Sequence, residues 1–150
     1  MAGPTISFNA FSSYLDQPAR LSAKELGLYG VRFLVGLSLL EVGLHYAPVF
    51  ALGSDPQLLA SLPAASAAVL AFLTLKLMWL KFLVIWRFAR LWALCDGVAP
   101  VENMQRCMCN NYSLEGFWKG WHCSFNRWLV RYVYVPLGGG RWKAVNVWVV

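Results

Sequence analysis

The chain has 150 residues, of which 59% are hydrophobic and only 13% charged, and its net charge is +6. A soluble domain carries about 25% charged residues, so this composition argues against a water-soluble globule and for an integral membrane protein. The 8 Trp and 6 Tyr suit two bilayer–water interfaces. The basic residues stand inside or beside apolar, aromatic runs with no nucleic-acid motif among them, which favours lipid phosphates or an anionic ligand over a nucleic-acid partner.

In chain order, residues 1 to about 27 read as a loop with a short interfacial helix, punctuated by Gly3, Pro4 and Pro18, with Ser22 ahead of Lys24 and Glu25 as a helix start. The first spanning candidate is 28–52, longer than the roughly 20 residues a bilayer needs. It holds Arg32, Glu41 and His45. Glu41 and His45 are four apart and share a helix face. Ionisable groups at such depth are costly and turn towards a bundle interior, and the preferred reading is a structural pair. Pro48 kinks or ends this helix. A turn at Gly53-Ser54-Asp55-Pro56 follows, and Pro63 opens a long second spanning helix over 63–95. That helix carries Lys76, Lys81, Arg87 and Arg90. At about 100° per residue, Lys76, Arg87 and Arg90 fall on one side and Lys81 opposite. Arg87 and Arg90 are expected to snorkel to headgroups; Lys76 and Lys81 lie deeper and need partners.

Asp96 to Pro100 breaks the helix. Residues 101–140 turn polar, then aromatic and basic, too highly charged for a lipid-facing span, so they lie at the interface or re-enter against protein. Gly138-Gly139-Gly140 makes a turn, and 142–150 begins a further span that the sequence leaves partial. The expected fold is all-α and membrane-integral, with two complete spans, interfacial or re-entrant helices and one partial span.

Chemistry concentrates in Trp118-Lys119-Gly120-Trp121-His122-Cys123-Ser124-Phe125-Asn126-Arg127-Trp128. In one continuous helix Trp118, His122 and Asn126 share a face, and Trp121, Phe125 and Trp128 form a packing stripe. An imidazole moves protons near neutral pH, and an amide orients it or donates to a developing oxyanion. An interfacial helix whose His and Asn meet water explains the spacing equally well. Cys107-Met108-Cys109 with His122-Cys123 lacks the Cys-x2-Cys spacing of zinc sites. Interfacial thiols open to S-acylation are the preferred reading, and no metal ligands are assigned.

The stretch Asn110 to Gly140 resembles the membrane-bound O-acyltransferase (MBOAT) superfamily, most strongly its glycerol-uptake-protein and Hedgehog-acyltransferase-like branch. Phe117-Trp118, Trp121-His122, Ser124-Phe125-Asn126-Arg127-Trp128 and Arg131-Tyr132-Val133-Tyr134-Val135-Pro136-Leu137-Gly138-Gly139 carry the likeness, with weaker matches at Ala2-Gly3-Pro4, Ser7-Phe8-Asn9 and Trp86-Arg87-Phe88. The resemblance makes 1–150 a partial domain of that family. It implies a multi-helix, multi-pass enclosure, in the endoplasmic reticulum, with a tunnel through the membrane. It further implies acyl-CoA as co-substrate, no bound cofactor, and a lipid, glycolipid or protein acceptor offering a hydroxyl or amine. His122 and Asn126 match catalytic positions. Trp118, Trp121, Arg131, Tyr132 and Tyr134 match substrate-binding ones that shape the tunnel or meet CoA phosphates. The family's second histidine lies in the following transmembrane helix, and neither His45 nor His122 supplies it. The 150 residues alone are therefore expected to be inactive and the parent protein to be an acyltransferase. The alternative is a non-catalytic regulator or glycerol-transport-associated protein on the same scaffold.

Overall fold

A computed structural model describes residues 3–142; the expected partial span lies outside the described residues except for Trp142. All regular structure among the described residues is helical. Helix α1 (Phe8–Asp16) starts where the Ser7 hydroxyl accepts a bond from the Ala10 amide, an N-cap. Its Phe8, Phe11 and Leu15 recur on one face and are exposed, the arrangement of a helix lying on a membrane surface.

Helix α2 (Ala23–Tyr46) opens on a capping box: the Ser22 hydroxyl accepts from the Glu25 amide while the Glu25 carboxylate accepts from the Ser22 amide. The start signal at Ser22 thus belongs to the long helix itself, not to a separate interfacial helix. Its 24 residues run about 36 Å, enough for the roughly 30 Å hydrocarbon core. The helix stops at Tyr46, six residues before the expected Leu52. Ala47 precedes proline, which bars the helical conformation, and takes φ −128° and ψ 82°. Two short helices follow, α3 (Val49–Gly53) and α4 (Pro56–Ser61). The Asp55 carboxylate caps α4 by accepting from the Gln57 and Leu58 amides, with Pro56 at the first helical position.

Helix α5 (Ala64–Cys95) has 32 residues, about 48 Å of helix, so one end must leave the hydrocarbon. It closes in a Schellman motif: Gly97, at φ +76°, donates to the Leu94 carbonyl, and Val98 donates to the Ala93 carbonyl at 2.8 Å. Both α2 and α5 are long and apolar enough to cross a membrane. They pack through small residues. A Cβ on Gly36 would stand 3.6 Å from Val84, and one on Gly43 would stand 2.7 Å from Leu77, with buried Leu40 between them. The outer faces expose large apolar side chains, Leu28, Leu34, Phe72 and Phe88 among them, a surface suited to lipid or further helices.

The charged side chains depart from expectation. Glu41 and His45 are exposed, and among the described residues no hydrogen bond or ion pair joins them. Gly36, Leu40 and Gly43 occupy the face against α5, and Glu41 and His45 lie well round the helix from it. Arg87 and Arg90 have a protein partner. Both pair with Glu102 at 3.3 Å, because the chain after α5 doubles back and lays an acidic residue along the basic stripe. Lys76 donates to the Cys107 thiol at 3.5 Å and sits over the Phe72 ring, whereas Lys81 is exposed.

Beyond α5 the loop 99–107 returns along its last turns. Met104 joins Leu83 and Trp86 in a buried cluster flanked by Phe82 and Trp121. Then come a 3-10 turn (Met108–Asn110), α6 (Leu114–Gly120), α7 (Cys123–Leu129), a π-helical turn (Val130–Tyr134) and a 3-10 turn (Gly139–Trp142).

Candidate functional site

The expected single helix carrying Trp118, His122 and Asn126 on one face does not form. The chain breaks between α6 and α7 at Trp121-His122, and His122 takes the left-handed conformation at φ 45° and ψ 45°. It is the one non-glycine at positive φ among the described residues. Such a backbone is uncommon for a residue with a Cβ, though histidine tolerates it better than most; it costs of order 1–3 kcal/mol and persists only where its surroundings impose it.

The surroundings are aromatic. The His122 ring lies 4.4 Å from Trp86 and 5.2 Å from Phe125, centroid to centroid. Trp121 packs edge-on against Trp86 at 5.6 Å and against Phe82 at 5.3 Å. The His122 side chain is half-buried, and its Nδ1 is shut off from solvent without a hydrogen-bond partner. Burial disfavours the imidazolium and pushes the pKa below that of an ordinary histidine. A neutral imidazole results, the form that can accept a proton.

Polar bonds from the loop before it fix this turn. Glu102 is held by Arg87 and Arg90 and accepts the Tyr29 hydroxyl at 2.8 Å, so α2 and α5 both grip it. Arg90 also donates to the Pro100 carbonyl at 2.8 Å and lies over the Tyr29 ring. Asn103 is 1% exposed. Its Oδ1 accepts from the Ser124 amide at 3.3 Å and from the Ser124 hydroxyl, and its carbonyl accepts from the Cys123 amide at 3.2 Å. The Cys123 thiol donates to the Glu102 carbonyl at 2.9 Å. Burial pushes that thiol's pKa up and keeps it protonated, a donor and not a nucleophile. The N-terminal segment closes the far side: the Thr5 amide donates to the Ser124 hydroxyl at 2.8 Å, and the Phe8 amide donates to the Tyr132 hydroxyl at 3.2 Å.

The remaining sequence-derived positions scatter round this centre. Asn126 sits one turn into α7, its amide bonded to the His122 carbonyl and its side chain exposed. Trp118 is exposed on α6 and packs edge-on with Phe117. Arg131, Tyr132 and Tyr134 occupy the π-helical turn, a departure from α geometry frequent at functional sites. Arg131 and Arg127 border a cavity of about 220 Å³ whose other wall is the N-terminal segment with Thr5, Ser7 and Tyr14. Tyr134 lies against Gly139. Among the described residues no group of three His, Cys, Asp or Glu side chains gathers in metal-binding distance. Cys95 and Cys109 are exposed.

Sequence reasoning missed Glu102, which it did not single out, and passed over Asn103 as an ordinary loop residue. A lone buried asparagine has no periodicity to betray it. The only hint was an acidic residue placed shortly after a helix bearing an unmatched basic stripe.

A left-handed histidine embedded in this Trp-His-Asn-Arg string invites comparison with known families, and the model of the MBOAT, membrane-bound O-acyltransferase family, matches residues 1–148. The chain belongs to the membrane-bound O-acyltransferase family. Membrane-bound O-acyltransferase gup1 of Schizosaccharomyces pombe is 47% identical over 151 residues, covering 100% of this chain and 26% of that protein. Membrane-bound O-acyltransferase GUP2 of Saccharomyces cerevisiae is 41% identical over 150 residues, 97% of this chain and 24% of that protein. More distant, the mouse protein-cysteine N-palmitoyltransferase HHAT is 31% identical over 147 residues, 93% of this chain and 28% of that protein. These relatives bear out the branch expected from the sequence, and the chain spans about a quarter of their length.

Proposed function

We propose that the protein carrying this chain transfers an acyl group from acyl-CoA to a hydroxyl, or an amine, of a lipid, glycolipid or protein acceptor within the endoplasmic-reticulum membrane, and that residues 1–150 form part of its acyltransferase domain. The observation that carries this reading is the His122 ring, held neutral between Trp86 and Phe125 on a left-handed backbone. In the reaction the acceptor oxygen bonds to the acyl carbon, the carbon–sulfur bond to CoA breaks, and the acceptor's proton ends on the CoA sulfur. His122 serves as a proton carrier in that exchange, alongside the histidine that family likeness places in the following helix. Asn126 lies one helical turn away as an amide donor. Trp118, Trp121 and Tyr134 line the approach of the acyl chain or acceptor, and Arg131 with Tyr132 meets the anionic CoA.

The test is acyl transfer from labelled acyl-CoA by the full-length protein in detergent or nanodiscs. His122→Asn keeps a side chain that tolerates the left-handed backbone and removes the imidazole, so kcat should fall by about 10²-fold or more while helical content is unchanged. His122 must be neutral to accept a proton. Activity is therefore lost as pH falls through its lowered pKa, and the half-point of kcat/KM lies below the ordinary value of about 6.5. No acyl transfer by the wild-type protein would leave the scaffold a non-catalytic regulator or transport-associated protein, whereas full turnover by His122→Asn would keep the acyltransferase and remove His122 from its proton transfer.

A further inference from the structure

Helix α7 begins without the usual help from its own N-cap. The first amides of a helix lack partners inside it, and the N-cap side chain ordinarily accepts from one of them. Here the N-cap is His122, and its side chain makes no capping bond. Asn103 does the capping from a separate loop. Its carbonyl takes the Cys123 amide and its Oδ1 takes the Ser124 amide, the first two amides of α7. The Ser124 hydroxyl bonds to the same Oδ1. The imidazole is thereby spared from a structural duty that its place in the chain would assign to it.

The geometry points to Asn103 as the positioning residue of His122: it caps α7 in place of the histidine, and so sets the imidazole against Trp86 and Phe125. The inference rests on the proton-carrying role given to His122 above. Asn103 does not reach its place by chance. Glu102 next to it is fixed by Arg87, Arg90 and Tyr29, and the Cys123 thiol ties back to the Glu102 carbonyl. Two spanning helices therefore dictate where residues 102 and 103 stand, and residue 103 dictates where α7 starts. The charged groups nearest the turn are Glu102 and Arg127, both set beside Cys123, while aromatic rings flank the imidazole itself.

Asn103→Leu keeps the branched shape and removes the Oδ1 acceptor. In the full-length protein it should lower kcat by about ten- to a hundredfold, the scale of a small misplacement of a reacting group, with KM changed by less than about twofold. The released imidazole meets water, so the acid limb of kcat/KM moves up towards the ordinary histidine value, a shift that mere loss of folded protein would not produce. Asn103→Asp restores an acceptor oxygen and should recover most of the turnover. Should Asn103→Leu not accumulate, Ser124→Ala removes the hydroxyl's bond to Oδ1 and its bond from the Thr5 amide, leaves both capping bonds to Asn103, and should give a smaller loss with the same upward shift. Wild-type kcat and acid limb in Asn103→Leu, or an activity loss that tracks folded protein with the acid limb unmoved, overturns the inference while His122→Asn remains inactive. Full turnover by His122→Asn instead removes the role of His122, and the inference falls with it.

Discussion

The α2–α5 pair and the α6–α7 segment hold together by different means. Between the two long helices the contacts are apolar and shape-based: Gly36 admits Val84, Gly43 admits Leu77, and Leu40 fills the space between. Each such contact is small and its neighbours can adjust. Around α7 the order reverses. A few polar bonds from Glu102 and Asn103 locate the whole turn, and the acceptors are buried where a missing partner costs about 1–3 kcal/mol. The scaffold should therefore absorb substitutions that the His122 turn cannot, with the two meeting at Trp86 and Glu102.

Trp86 belongs to both regions and should show the largest effect on stability. It is 4% exposed in the cluster with Leu83 and Met104. Trp86→Ala should cost about 3 kcal/mol and release the His122 ring, read as a lower unfolding temperature together with lost acyl transfer. A stable, active variant would show that the aromatic cluster does not join the regions. Glu102→Gln comes next. Arg87 and Arg90 would lose a charge partner, but all three side chains are between 21% and 28% exposed, so the cost should be about 1–2 kcal/mol, below that of a fully buried pair. Chemical denaturation would measure it, and an unchanged midpoint would reduce the pair to a surface contact.

Gly97→Ala tests the end of the scaffold alone. A Cβ there meets Pro18 at 2.9 Å on a backbone at φ +76°, so a loss of about 1–2 kcal/mol is expected, with activity per folded molecule unchanged. An equal fall in specific activity would mean that the α5 terminus also tunes the site. The smallest effect belongs to the exposed Glu115–Lys119 pair on α6. Lys119 holds the Glu115 carboxyl below its usual pKa, so any stabilisation is present above that value and lost on acidification. Screening by water and salt leaves little of it. Glu115→Gln should not move the unfolding temperature, and a clear drop would place α6 in the rigid core.

These contrasts follow what the sequence discloses. Apolar runs and prolines announce α2 and α5, since length and Pro48 or Pro63 act locally. Their charged residues are harder to read, because the partner of Arg87 and Arg90 comes from a loop that must first fold back. The Trp-His string marks the site through likeness to a family, but helical periodicity cannot foresee a break whose cause, Asn103, lies 19 positions from His122 along the chain. The π-helical turn at Arg131 and Tyr132 is equally silent, since its residue types suit an α-helix as well. Of the candidate residues, His122 and Trp121 come together against Trp86, whereas Trp118 and Asn126 stand apart from that packing.

The two bonds from the N-terminal segment, Thr5 to Ser124 and Phe8 to Tyr132, join residues 119 and 124 positions apart. Synthesis at about 5–20 residues per second leaves Thr5 waiting roughly 6–24 s for its acceptor to be made. Both long helices are synthesised within that interval, whereas the pocket around His122 can close only afterwards. Assembly of the site is therefore a late event in the life of the nascent chain.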